Sequence, residues 1–407
     1  MFSKKGSMRI VARMSERSAR VAGLSLLTAG LVLSLTATVA AAPKAGGRTL
    51  YVSPSGSDSG SCTKQAPCLT IGHAVGLARK NATVMVAAGT YTEDVTIAKR
   101  LRVVGVGSPV VDATGLDNGF VINGRGAAGT DLRGFVVENA TFEGILAERT
   151  SNVRITGNTV QNNDQGGKAT VKTGECAPQG QVPGDCGEGL HLMSVTHSHV
   201  ADNLVQNNAG GILLTDESGP TAFNVISRNR VLNNLLDCGI TLAGHNTSAA
   251  STTTGKPHPK VGGIYHNTVS RNTANGNGTQ GEGAGILIAA AAPGAAAYHN
   301  TVIRNTANGN GLAGVTLHGH TPGQDLNANK IVRNRLSNDG LLPGDPDFGV
   351  TDTVGILVGS AATKLKGIVI SGNRISDVHF GIWTKNVKAI NRHSNKFTKV
   401  AVPLTQT

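Results

Sequence analysis

The amino-acid sequence predicts an all-β solenoid, a chain wound from short parallel strands, and three observations carry that expectation. Glycine is abundant and aromatic residues are scarce, with 54 Gly and only 13 Phe, Trp and Tyr among 407 residues, where glycine usually makes up about 7%. A core built on aromatic anchors is excluded. The phrase Gly-(Ile/Leu/Val)-x-(Leu/Ile/Val) recurs, its leading pairs being Gly144-Ile145, Gly189-Leu190, Gly211-Ile212, Gly239-Ile240, Gly285-Ile286, Gly314-Val315, Gly355-Ile356 and Gly381-Ile382. A second phrase, Asn-x-(Val/Ile), alternates with it from Asn158, Asn203, Asn229, Asn267, Asn300, Asn329 and Asn373. Ile212 to Ile240 spans 28 residues and Ile286 to Val315 spans 29, a length suited to one turn of a solenoid.

Within each repeat apolar and polar residues alternate over three to five positions, as in Val153-Arg154-Ile155, which is the strand period. Strands this short satisfy their backbone only by pairing in parallel with the equivalent strand one coil away, about 4.8 Å along the axis. The repeating Asn fit such a coil because Asn tolerates a left-handed turn and can hydrogen-bond to its counterpart in the next coil. The Gly of each Gly-Ile phrase reads as a turn residue rather than a phosphate cradle.

Taken in order, residues 1–42 carry six basic residues and one acid, then the uncharged run Val21–Ala42 ending in small residues, the pattern of a secretory signal peptide cut near Ala40–Ala42. Export without lasting membrane insertion follows. Residues 43–407 form one domain, with a cap region at 48–112 and coils at 113–400. Ile71, Ala74, Val75 and Ala78 stand at helical spacing, predicting a short capping helix that covers the first open strand edge. Cys62 with Cys68, and Cys176 with Cys186, could each close a short loop in an oxidising compartment, while Cys238 sits in apolar sequence as a buried thiol. The net charge of +12 falls to +7 beyond residue 42, without a Lys/Arg block, so nucleic acid is not an expected partner.

Tyr51-Val-Ser-Pro-Ser-Gly-Ser-Asp58, Ala88-Gly-Thr-Tyr-Thr-Glu-Asp-Val-Thr-Ile97 and Leu101-Arg-Val-Val-Gly-Val-Gly107 resemble the opening coils of secreted right-handed parallel β-helix proteins of the pectin-lyase-like superfamily. The resemblance implies a right-handed parallel β-helix with a short N-terminal capping helix. It is specific for fold rather than reaction, since the superfamily includes lyases, hydrolases, esterases, epimerases, tailspikes and non-catalytic proteins. The polygalacturonase, epimerase and pectate-lyase signatures of that superfamily do not occur here, so no catalytic residue carries over by motif.

Candidate chemistry is therefore read from the columns alone. If the residue after each Gly faces inward, four successive coils present Glu148 and Arg149, Glu188 and His191, Asp216 and Glu217, and Asp237 and His245 on one face, over about 15 Å. His191, between two leucines, is an acid–base candidate near neutral pH. Thr241, Thr316, His318, His320 and Trp383 are candidate substrate contacts, the indole as a sugar-stacking platform. The polar segments Gln165–Gly187 and Asn246–Lys260 would wall this face. Glu148 and Asp216, about 9.6 Å apart by rise, suit inverting hydrolysis; His191, Arg149 and an acidic pair holding Ca2+ would suit elimination from an acidic sugar. The expectation is an exported protein that binds and cleaves a polysaccharide. Its rivals are a non-catalytic glycan- or protein-binding β-helix and a metal-delivery or periplasmic copper-related one.

Overall fold

The computed structural model describes residues 47–164, 188–281, 283–290, 292–342, 348–388 and 391–407. The expected signal peptide, Cys176, Cys186 and the segment Gln165–Gly187 lie outside them.

Each complete coil contributes three short strands. In one coil these are His199–Ala201, Leu204–Gln206 and Gly210–Thr215. First strands stack into a twelve-stranded parallel sheet running from Thr49–Val52 to Asn391–His393. Second and third strands stack likewise, and the last two long strands, Arg374–Lys385 and Lys396–Gln406, run through both of those faces. The fold is a right-handed parallel β-helix.

The core is aliphatic, as the composition required. Ile145, Leu190, Ile212, Ile240, Ile286, Val315, Ile356 and Ile382 form one buried inward column in unbroken register. Each such side chain contributes about 1.5–3 kcal/mol on burial. Phe120 and Phe135 are the core's fully buried aromatic pair, meeting edge to face at 5.0 Å.

The glycines before this column stand at the corner that opens each third strand, but not for a left-handed backbone. None of Gly144, Gly189, Gly211 or Gly239 has positive φ. They are small because the corner is crowded: a Cβ on Gly211 would lie 2.1 Å from the Gly239 carbonyl oxygen and 2.4 Å from Val231 Cγ1.

Asparagine supplies the rungs of hydrogen-bonded ladders, and at Asn162, Asn207 and Asn233 a left-handed turn. Buried Asn158, Asn203, Asn229, Asn272, Asn305, Asn334 and Asn373 form a ladder ending on Asn395, each Oδ1 accepting the backbone N–H and Nδ2 of the rung before it. The left-handed conformation belongs to the residue preceding each rung. That row reads Gly157, Asp202, Arg228, Arg271, Arg304, Arg333, Gly372 and Ser394, with φ between 56° and 66°. A second ladder runs from Asn163 through Asn208, Asn234, Asn277 and Asn310 to Asp339. The left-handed turn residues His197, Phe223, His266 and His299 of successive coils stack their rings 5.0–5.2 Å apart.

The capping helix forms over Ile71–Leu77 with Thr70 as N-cap, accepting from His73 N. Glu93 accepts the N–H groups of Ile71 and Gly72, both at 2.7 Å, satisfying donors a helix start leaves open. Ile71, Ala74 and Val75 bury its inner face. Cys62 and Cys68 are joined by a disulfide beside it, and Cys238 is a free, buried cysteine.

Candidate functional site

Strand register sets Leu146, His191, Leu213, Thr241, Leu287, Thr316, Leu357 and Trp383 in one column on the outer side of the third-strand face. Leu190, Ile212 and Ile240 are vertical neighbours beneath it, as the repeat spacing requires. The middle of the column is nevertheless buried, with His191 1% and Thr241 7% exposed.

His191 is clamped at both ring nitrogens. Nδ1 lies 3.2 Å from Glu143 Oε1 and Nε2 lies 2.8 Å from Thr215 Oγ1. With Nδ1 donating to the carboxylate, the neutral ring accepts the threonine hydroxyl at Nε2. Glu188 completes the group: ligand atoms of Glu143, Glu188 and His191 lie within 4.8 Å of one another, and all three residues are buried. Glu143 and Thr215 are not among the residues that the column spacing singles out. The repeated Glu-Gly pair at Glu143-Gly144 and Glu188-Gly189 would have marked Glu143 as the equivalent of Glu188 one coil earlier. At the following position Gly210 leaves space, since a Cβ there would sit 3.0 Å from Glu188 Cγ and 3.4 Å from Asp237 Cβ.

Asp216 is not a groove residue. It is fully buried, and its carboxylate accepts from His245 N at 2.7 Å, Asn246 N at 3.0 Å and Gly263 N. It thereby ties together both ends of the expected wall Asn246–Lys260. Burial raises its carboxyl and the three N–H donors oppose that rise. Asp237 is likewise raised by burial and accepts from Cys238 N at 2.6 Å, while burial and Asp237 push the Cys238 thiol well up. A pairing of Glu148 with Asp216 across a water therefore has no open second carboxylate.

Glu217 differs. Its Oε1 lies 2.8 Å from His245 Nδ1, and its side chain keeps 18% exposure. Burial alone would raise its carboxyl, but the hydrogen bond and charge of His245, with His191 farther off, bring it below the usual value. Glu148 pairs with its neighbour Arg149 at 2.9 Å. Arg149 lines a groove of about 840 Å³ with Arg125, Ser151, Ser194, Thr196 and Ser218.

The remaining candidates lie apart from this centre. Thr316 is buried. His318 and His320 pack on each other at 4.5 Å and against Phe348. Trp383 meets Phe380 edge to face at 4.8 Å and packs on the cluster of Ala313, Phe348, Val350, Val354 and Leu357, so its ring completes a hydrophobic patch.

A family model described as periplasmic copper-binding protein (NosD) matches residues 129–346, more than half of the chain. The chain belongs to the NosD family. No curated protein matches this NosD-family chain. Among solved structures it is similar to an alginate lyase from Paenibacillus sp. str. FPU-7, at 12% identity and TM-score 0.51 over 88% of this chain and 98% of that one. It is similar to pectate lyase Pel9A, at 16% identity and TM-score 0.53 over 86% and 79%. The Dettilon tailspike protein gp208 matches at 15% identity and TM-score 0.56 over 88% and 68%. These likenesses agree with the right-handed parallel β-helix fold of the NosD-family chain.

Copper and Ca2+ can be weighed against the donors present. An imidazole and two carboxylates fit Cu(II), whereas Cu(I) favours sulfur. Ca2+ takes six to eight oxygens, and the imidazole of this trio counts against it.

Proposed function

We propose that this chain is an exported β-helix that binds a uronate-containing polysaccharide in the groove lined by Arg125 and Arg149 and cleaves it by elimination. The observation that carries this reading is the pair of guanidiniums lining the groove. Glu217, its ionised form favoured by His245, is not itself in the lining but directly precedes Ser218 and Gly219, which are. Arginine neutralises a sugar carboxylate and so acidifies the adjacent C5–H. Glu217 takes that proton, the C4–O bond breaks, its electron pair leaves with the oxygen, which gains a proton from solvent, and a C4=C5 double bond remains. Hydrolysis is less well supported, because it needs a protonated acid within reach of the bridging oxygen and the raised carboxyl of Asp216 is sealed in backbone hydrogen bonds. Export is supported by the leader-like residues 1–42, the Cys62–Cys68 disulfide and the word periplasmic in the family description.

Incubation with polygalacturonate, alginate and neutral glucans, following unsaturated uronate by ultraviolet absorbance together with reducing ends, tests the reading. Both signals should rise on a uronate polymer and fall about a hundredfold or more in Glu217→Gln. Reducing ends without unsaturated product would make the protein a hydrolase. Silence on every polymer would leave a binding protein.

A second reading has its own observation. Glu143, Glu188 and His191 bring three donors together in a family described as copper-binding. Held there, Cu(II) would supply a Lewis-acidic, redox-active centre, and the Nδ1 contact of His191 with Glu143 would have to open. Titration calorimetry with Cu(II) should show one site that His191→Ala removes; equal uptake by both proteins sinks the reading.

A further inference from the structure

We infer that a second face of the coil, distinct from the groove of Arg125 and Arg149, is a docking track for a linear acidic polysaccharide running parallel to the helix axis. Two adjacent columns of cations build it. At the corner between first and second strands, Arg271, Arg304 and Arg333 occupy the left-handed position of three successive coils, linked by Arg271 N to Ile303 O and Arg304 N to Val332 O. On the outer side of the second strands, Thr273, Thr306, Arg335, Arg374 and Lys396 stand in register. Beside them runs a column of hydrogen-bonding groups, Asn275, Asn308, Ser337, Ser376 and Thr398.

All six cations are exposed. Neighbouring charges are spoken for, with Arg228 held by Asp202 at 2.6 Å and Lys399 by Asp377 at 3.4 Å. Among the described residues no carboxylate comes within ion-pair distance of Arg271, Arg304, Arg333, Arg335, Arg374 or Lys396. The C-terminal part of the track is concave, a groove of about 610 Å³ lined by Arg335, Arg374, Lys396, Ser337 and Thr398 together with the Lys399–Asp377 pair. Unpaired positive charge gathered in register on one exposed face attracts a polyanion.

Spacing selects the polymer. The track covers five coils, roughly 19 Å, with a charge at each step of about 4.8 Å. An extended polyuronate carries one carboxylate per pyranose and has a repeat of comparable length. Duplex DNA presents a charge every 1.7 Å or so of its axis, and single strands are bound through stacking on aromatic rings. None stands in these three columns.

The polymer class is shared with the proposed function, so the test disables that groove first. In an Arg125→Gln/Arg149→Gln background, binding of polygalacturonate, its methyl ester and oligothymidylate would be measured at several salt concentrations by biolayer interferometry. Adding Arg304→Gln, Arg333→Gln and Arg374→Gln should raise the dissociation constant for polygalacturonate about tenfold and flatten its salt dependence. Lysine at the same three positions should preserve most of the affinity, and the ester should bind neither protein. Unchanged affinity in the glutamine variant overturns the track. So does oligothymidylate binding as tightly as polygalacturonate, which would make the face a nucleic-acid surface. Turnover in the otherwise unaltered protein reports on the groove separately, so either idea can fail alone.

Discussion

Asp339 ends the second asparagine ladder with a carboxyl where the other rungs carry an amide. Its Oδ1 accepts from Asn310 N at 3.2 Å and Asn310 Nδ2 at 2.7 Å. Its Oδ2 lies 2.5 Å from a Cβ built on Gly314, and Asn310 Nδ2 lies 2.8 Å from one built on Gly285. An acceptor thus stands where the preceding rung places a donor, one that bonds the Ala274 carbonyl. Burial pushes the carboxyl up to about 7, against opposing bonds from Asn310 and Ser337. A folded value above the unfolded 3.8 stabilises the fold fully below about pH 4, and that contribution, about 4 kcal/mol, drains away as pH climbs to about 7. Asp339→Asn should abolish this slope and unfold at higher urea than the parent near neutral pH. Parallel urea midpoints across that range for both proteins would refute the account. Sequence alone could not show this, because Asp339 looks like one more polar turn residue until the ladder beneath it is seen.

At the scale of the element, two kinds of glycine share one strand–turn unit. Gly211 sits against the backbone of the next coil, whereas Gly157, at φ 64°, has nothing within 4 Å of where a Cβ would be. Gly211→Ala should therefore cost about 3 kcal/mol through overpacking, and Gly157→Ala about 1 kcal/mol through backbone strain alone. Equal shifts in the urea midpoint would contradict the distinction. The Gly-Ile phrase told where each third strand begins, and the register Leu190–Ile212–Ile240 followed from it. Why glycine is there did not follow, since a close approach and a positive φ leave the same letter in a sequence. The site shows the same division: the column of His191 was legible from the repeat, but burial of Asp216 depends on Gly263, 47 residues onward, returning its N–H to that carboxylate.

For the whole molecule, stability is a sum over coils and their contacts. The N-terminal end is closed by the helix Ile71–Leu77 and the Cys62–Cys68 bridge. At the other end, Lys396–Gln406 pairs with Arg374–Lys385 on one side and has no strand beyond it among the described residues. Pro403 and two lysines, Lys396 and Lys399, guard that edge. Amide exchange should accordingly be fastest in 396–406 and slowest in middle coils such as 204–242, and uniform protection across both would argue against coil-by-coil stability. Low aromatic content announced an aliphatic interior from composition alone.

The row of left-handed corners carries one more implication. Glycine, aspartate, arginine and serine all occupy it with nearly the same φ, because the amide bonds above and below hold the bend and the side chain points away from the interior. The electrostatic potential along that rim can therefore be redrawn in steps of single charges, from cationic through neutral to anionic, while the packed aliphatic columns stay as they are.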